Sequence, residues 1–250
     1  MLTKNRTAVV TGAGRGIGKR IVTTLSELGY IVVGLDLRFD SNQLPDEKVE
    51  FMTVDVTNSD EIKQVFEKIE STYGSIDILV NNAAITNNIS QIMKMDIEKW
   101  KREIDVNLNG VFYCTKYALK SMTEKKWGRI VNISSIAATG GIDRQSSYAA
   151  SKAGILGLTK NVTIEYAEHG ITCNAILPGL IHTEAVSDMP EHIKEQALKL
   201  VPANRLGEMQ EVAELVAFLV SEPAGYINGI EIPIDGGSHC NPISLARSKS

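Results

Sequence analysis

No stretch of the 250 residues approaches the roughly 20 apolar residues of a membrane span, and the first residues carry no signal-peptide pattern. Neither a membrane anchor nor secretion is expected. Cysteine is scarce. Cys114, Cys173 and Cys240 are odd in number and widely spaced, which excludes a disulfide framework and a zinc pattern. A reducing compartment, the cytoplasm, is the expected location. His169, His192 and His239 share no metal-ligand spacing with carboxylates or cysteines, so no metal site is assigned. Clustered positive charge is missing too: the net charge is −4, and neither Lys125-Lys126 nor the tail 247–250 makes a basic face. Nucleic acid is not an expected partner. Internal repeats and low-complexity linkers are also absent, so nothing calls for a second domain.

What remains is a composition with 43% apolar and 22% charged residues, ordinary for one substantial globular domain. Short apolar runs at 7–10, 31–35, 49–54, 76–80, 129–133, 171–176 and 231–234 read as seven strands. Helical patterns intervene from Gly16 to near Gly29 and over 59–73, 105–125, from about 147 to Gly170, and over 209–220. Such alternation predicts an α/β fold: a Rossmann-like, doubly wound, parallel seven-stranded sheet with helices on both faces, in a single domain. Pro233 places the last strand at a sheet edge, because proline cannot donate to a ladder. The irregular stretch 178–205 contains Pro190 and Pro202 and leaves the carboxyl end of a strand, where such folds bind ligands. It is the expected substrate lid, and 239–250 is a C-terminal extension.

Three motifs carry chemistry. Thr11-Gly12-Ala13-Gly14-Arg15-Gly16-Ile17-Gly18 lies between a strand and a helix. Glycines there let backbone approach a pyrophosphate, and the helix N-terminus offers free N–H groups and a positive dipole end. The spacing is GxxxGxG, and a tight turn without ligand is the alternative for this motif alone. Asp36 closes the second strand, where a carboxylate accepts hydrogen bonds from ribose hydroxyls and repels a 2′-phosphate; NAD is favoured over NADP, with Arg15 and Arg38 as competing cations. Tyr148 and Lys152 stand four apart on one helical face, so the ammonium is expected beside the phenol, lowering its pKa for proton transfer. Ser135 lies thirteen positions upstream of Tyr148.

With Asp55-Val56, Asn81-Asn82-Ala83, Asn107, Pro178-Gly179 with Thr183, and Asp235-Gly236-Gly237 in the same order, the chain resembles the short-chain dehydrogenase/reductase family over about residues 5–238. The resemblance implies that Ser135 binds the substrate oxygen and that Tyr148 exchanges the proton. Lys152 would hold the nicotinamide ribose, and Asn107 a water linking Lys152 to solvent. It also implies NAD contacts from Gly12, Arg15, Gly16, Ile17, Gly18, Asp36, Asp55, Val56, Asn82, Ala83, Tyr148, Lys152, Pro178, Gly179, Ile181 and Thr183. A homotetramer, or a dimer, built on the helices at 105–125 and 147–167 is implied as well.

Two departures stand out. Ala84 occupies a position that is often glycine in the family, a costly change if φ there were positive. Lys126 and His169 stand where carrier-protein-dependent members often have arginine. The leading expectation is an NAD(H)-dependent oxidoreductase acting on a small secondary alcohol or ketone. A 3-oxoacyl thioester reductase is the alternative within the class, and a catalytically silent dinucleotide-binding protein the alternative outside it. His182 reads as a solvent-facing loop residue, and Trp100 and Trp127 as packing or interface residues.

Overall fold

The computed structural model describes residues 6–39 and 48–240. In chain order, β1 (Thr7–Thr11), α1 (Gly16–Glu27), β2 (Ile31–Asp36), β3 (Val49–Thr53), α2 (Ser59–Tyr73) and β4 (Ile76–Asn81) form the first half. Then come α3 (Ile97–Ile104), a π turn (Asp105–Asn109), α4 (Gly110–Lys125), β5 (Gly128–Ile133), the short α5 (Ala137–Gly140), α6 (Ser146–Tyr166) and β6 (Ile171–Pro178). β7 (Ile181–His182), α7 (Glu184–Ser187), α8 (Glu191–Leu198), β8 (Gly207–Glu208), α9 (Met209–Leu219) and β9 (Glu231–Ile234) follow.

The seven long strands form one parallel sheet in the order β3-β2-β1-β4-β5-β6-β9, as the strand and helix alternation predicts. β1, β4 and β5 are buried at every position because helices cover both faces, which is why their sequences are nearly continuous apolar runs. Alternate residues still divide between two cores. Val9, Val33, Leu79 and Ile130 pack with Ile62 and Phe66 of α2 and with Met122 of α4. Val10, Val32, Val80 and Val131 pack with Ile21 and Leu25 of α1 and with Val212 and Val216 of α9. Each of these large side chains contributes about 1.5–3 kcal/mol through burial. β9 lies at the sheet edge, with Pro233 in register with Leu177.

Between β1 and β4 the strand order reverses, opening a crevice at their carboxyl ends. The glycine turn leaves β1 there, and the segment 82–88 leaves β4.

Two elements differ from expectation. The helix placed at 105–125 begins earlier, at Ile97, where the Asp96 carboxylate accepts a hydrogen bond from the Lys99 amide at 2.8 Å. Its first turns are mostly charged and partly exposed, so they carry little apolar period. The stretch 178–205 is less irregular than its prolines suggest: it holds β7, α7 and α8, and β7 pairs with β8 in a separate two-stranded sheet. Pro190 sits at the N-cap of α8, where a proline interrupts no helical hydrogen bond. Within the expected C-terminal extension, residues 241–250 lie outside the described residues.

Candidate active site

Glycine geometry shapes the first wall. Gly12 and Gly16 have φ of +66° and +56°, values that favour glycine. Gly18 is required by proximity: a Cβ there would stand 2.0 Å from the Gly12 carbonyl oxygen. Asn82 fastens the turn, its Nδ2 donating to the Thr11 and Gly12 carbonyls at 3.0 Å each. Thr11 Oγ1 in turn accepts from the Asn82 and Ala83 amides, also at 3.0 Å. Asn82 therefore supports the turn as well as facing the crevice. Ala84 does not have a positive φ, so its methyl group introduces no backbone strain.

A cavity of about 350 Å3 opens beside this turn. Gly12, Arg15, Gly16 and Ile17 line one side, and Asp36, Asp55 and Val56 another. Asn82, Ala83 and Thr183 complete the expected residues that reach it. Gly18, Pro178, Gly179 and Ile181 do not: Gly18 lies beneath Gly12, Ile181 is buried in β7, and the Gly179 amide is tied to the Ile234 carbonyl at 3.0 Å.

Asp36 is held by backbone amides. Gly14 donates to its Oδ2 at 2.8 Å, and Leu37 and Arg38 donate to its Oδ1 at 2.7 and 3.5 Å. Asp55 is more committed. Its carboxylate accepts from the Thr57 amide and hydroxyl and from Arg102, and those hydrogen bonds outweigh partial burial to hold its pKa below the usual range. Arg102 and Glu184 also line the cavity and were missed in the sequence; the Arg102–Asp55 pair spans 47 positions and has no local signature.

The residues fit a dinucleotide. Glycines without room for a Cβ, backbone N–H groups at the start of α1, apolar Val54 and Val56, and an oriented strand-end carboxylate suit a pyrophosphate, a base and a ribose in turn.

The catalytic candidates lie beyond this cavity, which is not lined by Ser135, Tyr148 or Lys152. Ser135 follows β5, is buried, and lies close enough to the Tyr148 phenol to lower its pKa; its Oγ accepts from the Ala137 amide at 3.1 Å. Ser134 faces the other way and donates to the Lys152 carbonyl at 2.8 Å, as strand alternation requires.

The expected lowering of the Tyr148 pKa by its neighbouring ammonium is not what this geometry produces. Lys152 Nζ donates to the Ile133 carbonyl at 2.8 Å and stands 5.6 Å from the Tyr148 ring centroid. Burial pushes the phenol up, the nearby Ser135 hydroxyl offsets part of this, and the Glu103 charge adds to the rise. Burial also depresses Lys152, to about 7, so much of the charge expected to act on Tyr148 is lost near neutral pH.

Asn107 sits in the π turn, fully buried. Its Oδ1 accepts from the Ile85 amide and its Nδ2 donates to the Ile85 carbonyl, both at 2.8 Å, and Nδ2 also reaches Ser151 Oγ at 3.3 Å. Its side chain is thus bound to protein groups near Lys152 rather than to Lys152 itself. His182 is exposed, 3.7 Å from Glu208, and Trp127 packs between the guanidinium groups of Arg6 and Arg129. Among the described residues, no group of three or more His, Cys, Asp or Glu side chains is arranged to hold a metal, and no helix is long and apolar enough to cross a membrane.

The fold is Rossmann-like, and the crevice at its switch point suits a dinucleotide. The chain belongs to the short-chain dehydrogenase/reductase family. Residues 12–239 match the family model described as Enoyl-(Acyl carrier protein) reductase. The chain is similar to 3-oxoacyl-(acyl-carrier-protein) reductase FabG of Staphylococcus epidermidis, 38% identical over 243 residues that cover 94% of this chain and 99% of that protein. Its similarity to the FabG of Vibrio cholerae is also 38%, covering 96% and 99%. Among solved structures, the ligand-free aldohexose dehydrogenase of Thermoplasma acidophilum superposes with a TM-score of 0.88 at 36% identity, covering 97% of both chains. A levodione reductase gives 0.88 at 31%, covering 94% of this chain and 98% of that one.

Proposed function

We propose that the protein is an NAD(H)-dependent oxidoreductase that interconverts a small secondary alcohol and its ketone, with Tyr148 as the general acid/base. The observation that carries this reading is the placement of Ser135, just past the carboxyl end of β5, close enough to the Tyr148 phenol to act on its ionisation. When bound, nicotinamide supplies or accepts the hydride at carbon. Ser135 and Tyr148 act on oxygen: the serine hydroxyl donates to the developing oxyanion, and the phenol delivers the proton. Donors placed where charge develops stabilise the transition state more than the ground state. A phenol kept protonated by burial suits the donating role in ketone reduction.

Lys152, buried beside the pair, would hold the nicotinamide ribose through its ammonium. Asn107 would organise the water path to Lys152 from the π turn. The lid role given to 178–205 is supported by Thr183 and Glu184, which border the cavity. Asp36 favours NAD because its carboxylate meets ribose hydroxyls favourably and a 2′-phosphate unfavourably. Phe112 of α4 and Ile164 of α6 are 47% and 80% exposed, apolar area on the two helices through which we propose homotetramer assembly.

A second reading, reduction of 3-oxoacyl thioesters, is favoured by the names of the FabG relatives. The names of the two structural neighbours, an aldohexose dehydrogenase and a levodione reductase, favour free small molecules. Titration of the purified protein with NADH and NADPH, followed by a panel of ketones and 3-oxoacyl thioesters, separates the readings. NADH is expected to bind tighter, free ketones to turn over, and Asp36→Ala to narrow the NADH preference by tenfold or so, equivalent to about 1.4 kcal/mol. NADPH preference with turnover of acyl thioesters alone would favour the second reading, and an unchanged cofactor ratio in Asp36→Ala would remove Asp36 from the argument.

A further inference from the structure

Glu103 is a carboxylate only 1% exposed, placed against the catalytic helix and given no part in the chemistry above. Its Oε1 accepts from the Asn87 and Asn88 amides at 2.6 and 3.0 Å. Its Oε2 accepts from the hydroxyl of Ser147, the residue before Tyr148. Four positions along, Asn107 makes the matching set of contacts: it binds the backbone of Ile85 and, through Nδ2, Ser151 Oγ. Ser147 and Ser151 are also four apart and flank Tyr148 on α6. Two polar rungs therefore join the α3–π-turn run to the catalytic helix and to the segment 85–88 that leaves β4. The Asn107–Ser151 rung is neutral. The Glu103–Ser147 rung carries a charge.

Of the ionisable groups near Tyr148, Glu103 is the one whose charge acts on the phenol. Lys152 is engaged with the Ile133 carbonyl, Asp105 accepts from Asn109, and Arg102 is turned to Asp55 and Thr57. Cys173 on β6 is a buried thiol whose pKa is pushed up to about 12, hence uncharged. The stretches 82–90 and 134–141 contain no ionisable side chain.

We propose that Glu103 is a positioning residue for Tyr148: it locks the first turn of α6 to the 85–88 segment and fixes a carboxylate against Ser147, the residue before Tyr148. A like charge disfavours the phenolate, so the proton-donating form persists to higher pH than burial alone would allow. The proposal rests on the assignment of Tyr148 as proton donor.

Glu103→Gln retains the shape and an oxygen for the Asn87 and Asn88 amides while removing the charge. In the pH profile of kcat/KM for ketone reduction, activity falls as Tyr148 loses its proton, and this limb is expected to move down by about one pH unit in Glu103→Gln. Ser147→Ala removes a hydrogen bond and keeps the charge, so its limb stays at the wild-type position even if KM or stability changes. A limb unmoved in Glu103→Gln, or moved equally by Ser147→Ala, overturns the proposal. The same ionisation is read without substrate from the ultraviolet tyrosinate absorption, as the difference between each protein and its Tyr148→Phe counterpart. A wild type that reduces no ketone would refute the proposed function. The Glu103 shift would still be measured in that titration, and its absence there would refute Glu103 alone.

Discussion

Lys152 poses the sharpest question at the scale of a single residue, because an ammonium is placed where solvent does not reach. Its pKa falls from 10.5 in the unfolded chain to about 7 in the fold. Between those values the unfolded state binds more protons than the native state, so this group makes stability rise with pH across that window. Below about pH 7 the full cost of burying the charge is present. Lys152→Met is therefore expected to raise the melting temperature of the cofactor-free protein at pH 6–7, and the gain should shrink as pH approaches 10.5. Melting curves across that range check it; a gain independent of pH would mean that Lys152 keeps its ordinary pKa in the fold, contradicting the depression that burial causes. The sequence made the Tyr148–Lys152 pairing visible through its four-residue spacing. It did not disclose burial, and burial reverses the expected effect on the phenol.

Elements explain why some contacts were readable and others were not. The strand, glycine turn and first helix are local in sequence, so their geometry follows from residue types within a dozen positions. Gly18 tests that element directly. Alanine is about 1 kcal/mol better than glycine within a helix, yet its methyl here would meet the Gly12 carbonyl oxygen at 2.0 Å. Backbone on both sides leaves little room to relax, so the clash wins. Gly18→Ala is expected to cost about 1–3 kcal/mol, lowering the melting temperature by several degrees, and to weaken NADH binding at least tenfold. Thermal melts and an NADH titration measure both, and wild-type values in each would contradict the role given to the turn. By contrast, the early start of the helix at Ile97 was obscured by charged residues, and the Glu103–Ser147 and Arg102–Asp55 contacts join residues 44 and 47 positions apart. No periodicity brings such pairs together; only the packed fold does.

Over the whole molecule, sheet order converts separate motifs into one crevice. β1 and β4 are neighbours although 65 positions separate Thr11 from Ile76, and their ends bring the glycine turn within hydrogen-bonding reach of Asn82. Fold class and strand number were legible because fully buried parallel strands must be apolar throughout. Substrate class was not, since the proposed substrate space between Ser135, Tyr148 and the 178–205 segment is bounded by residues far apart in sequence. NADH oxidation with a ketone panel, run on wild type and Tyr148→Phe with NADH binding measured on both, decides whether Tyr148 transfers the proton. Turnover by wild type, loss of at least about a hundredfold in Tyr148→Phe, and NADH affinity within a few-fold of wild type are expected. Retention of most activity in Tyr148→Phe would contradict the assignment of Tyr148 as the proton-transfer group.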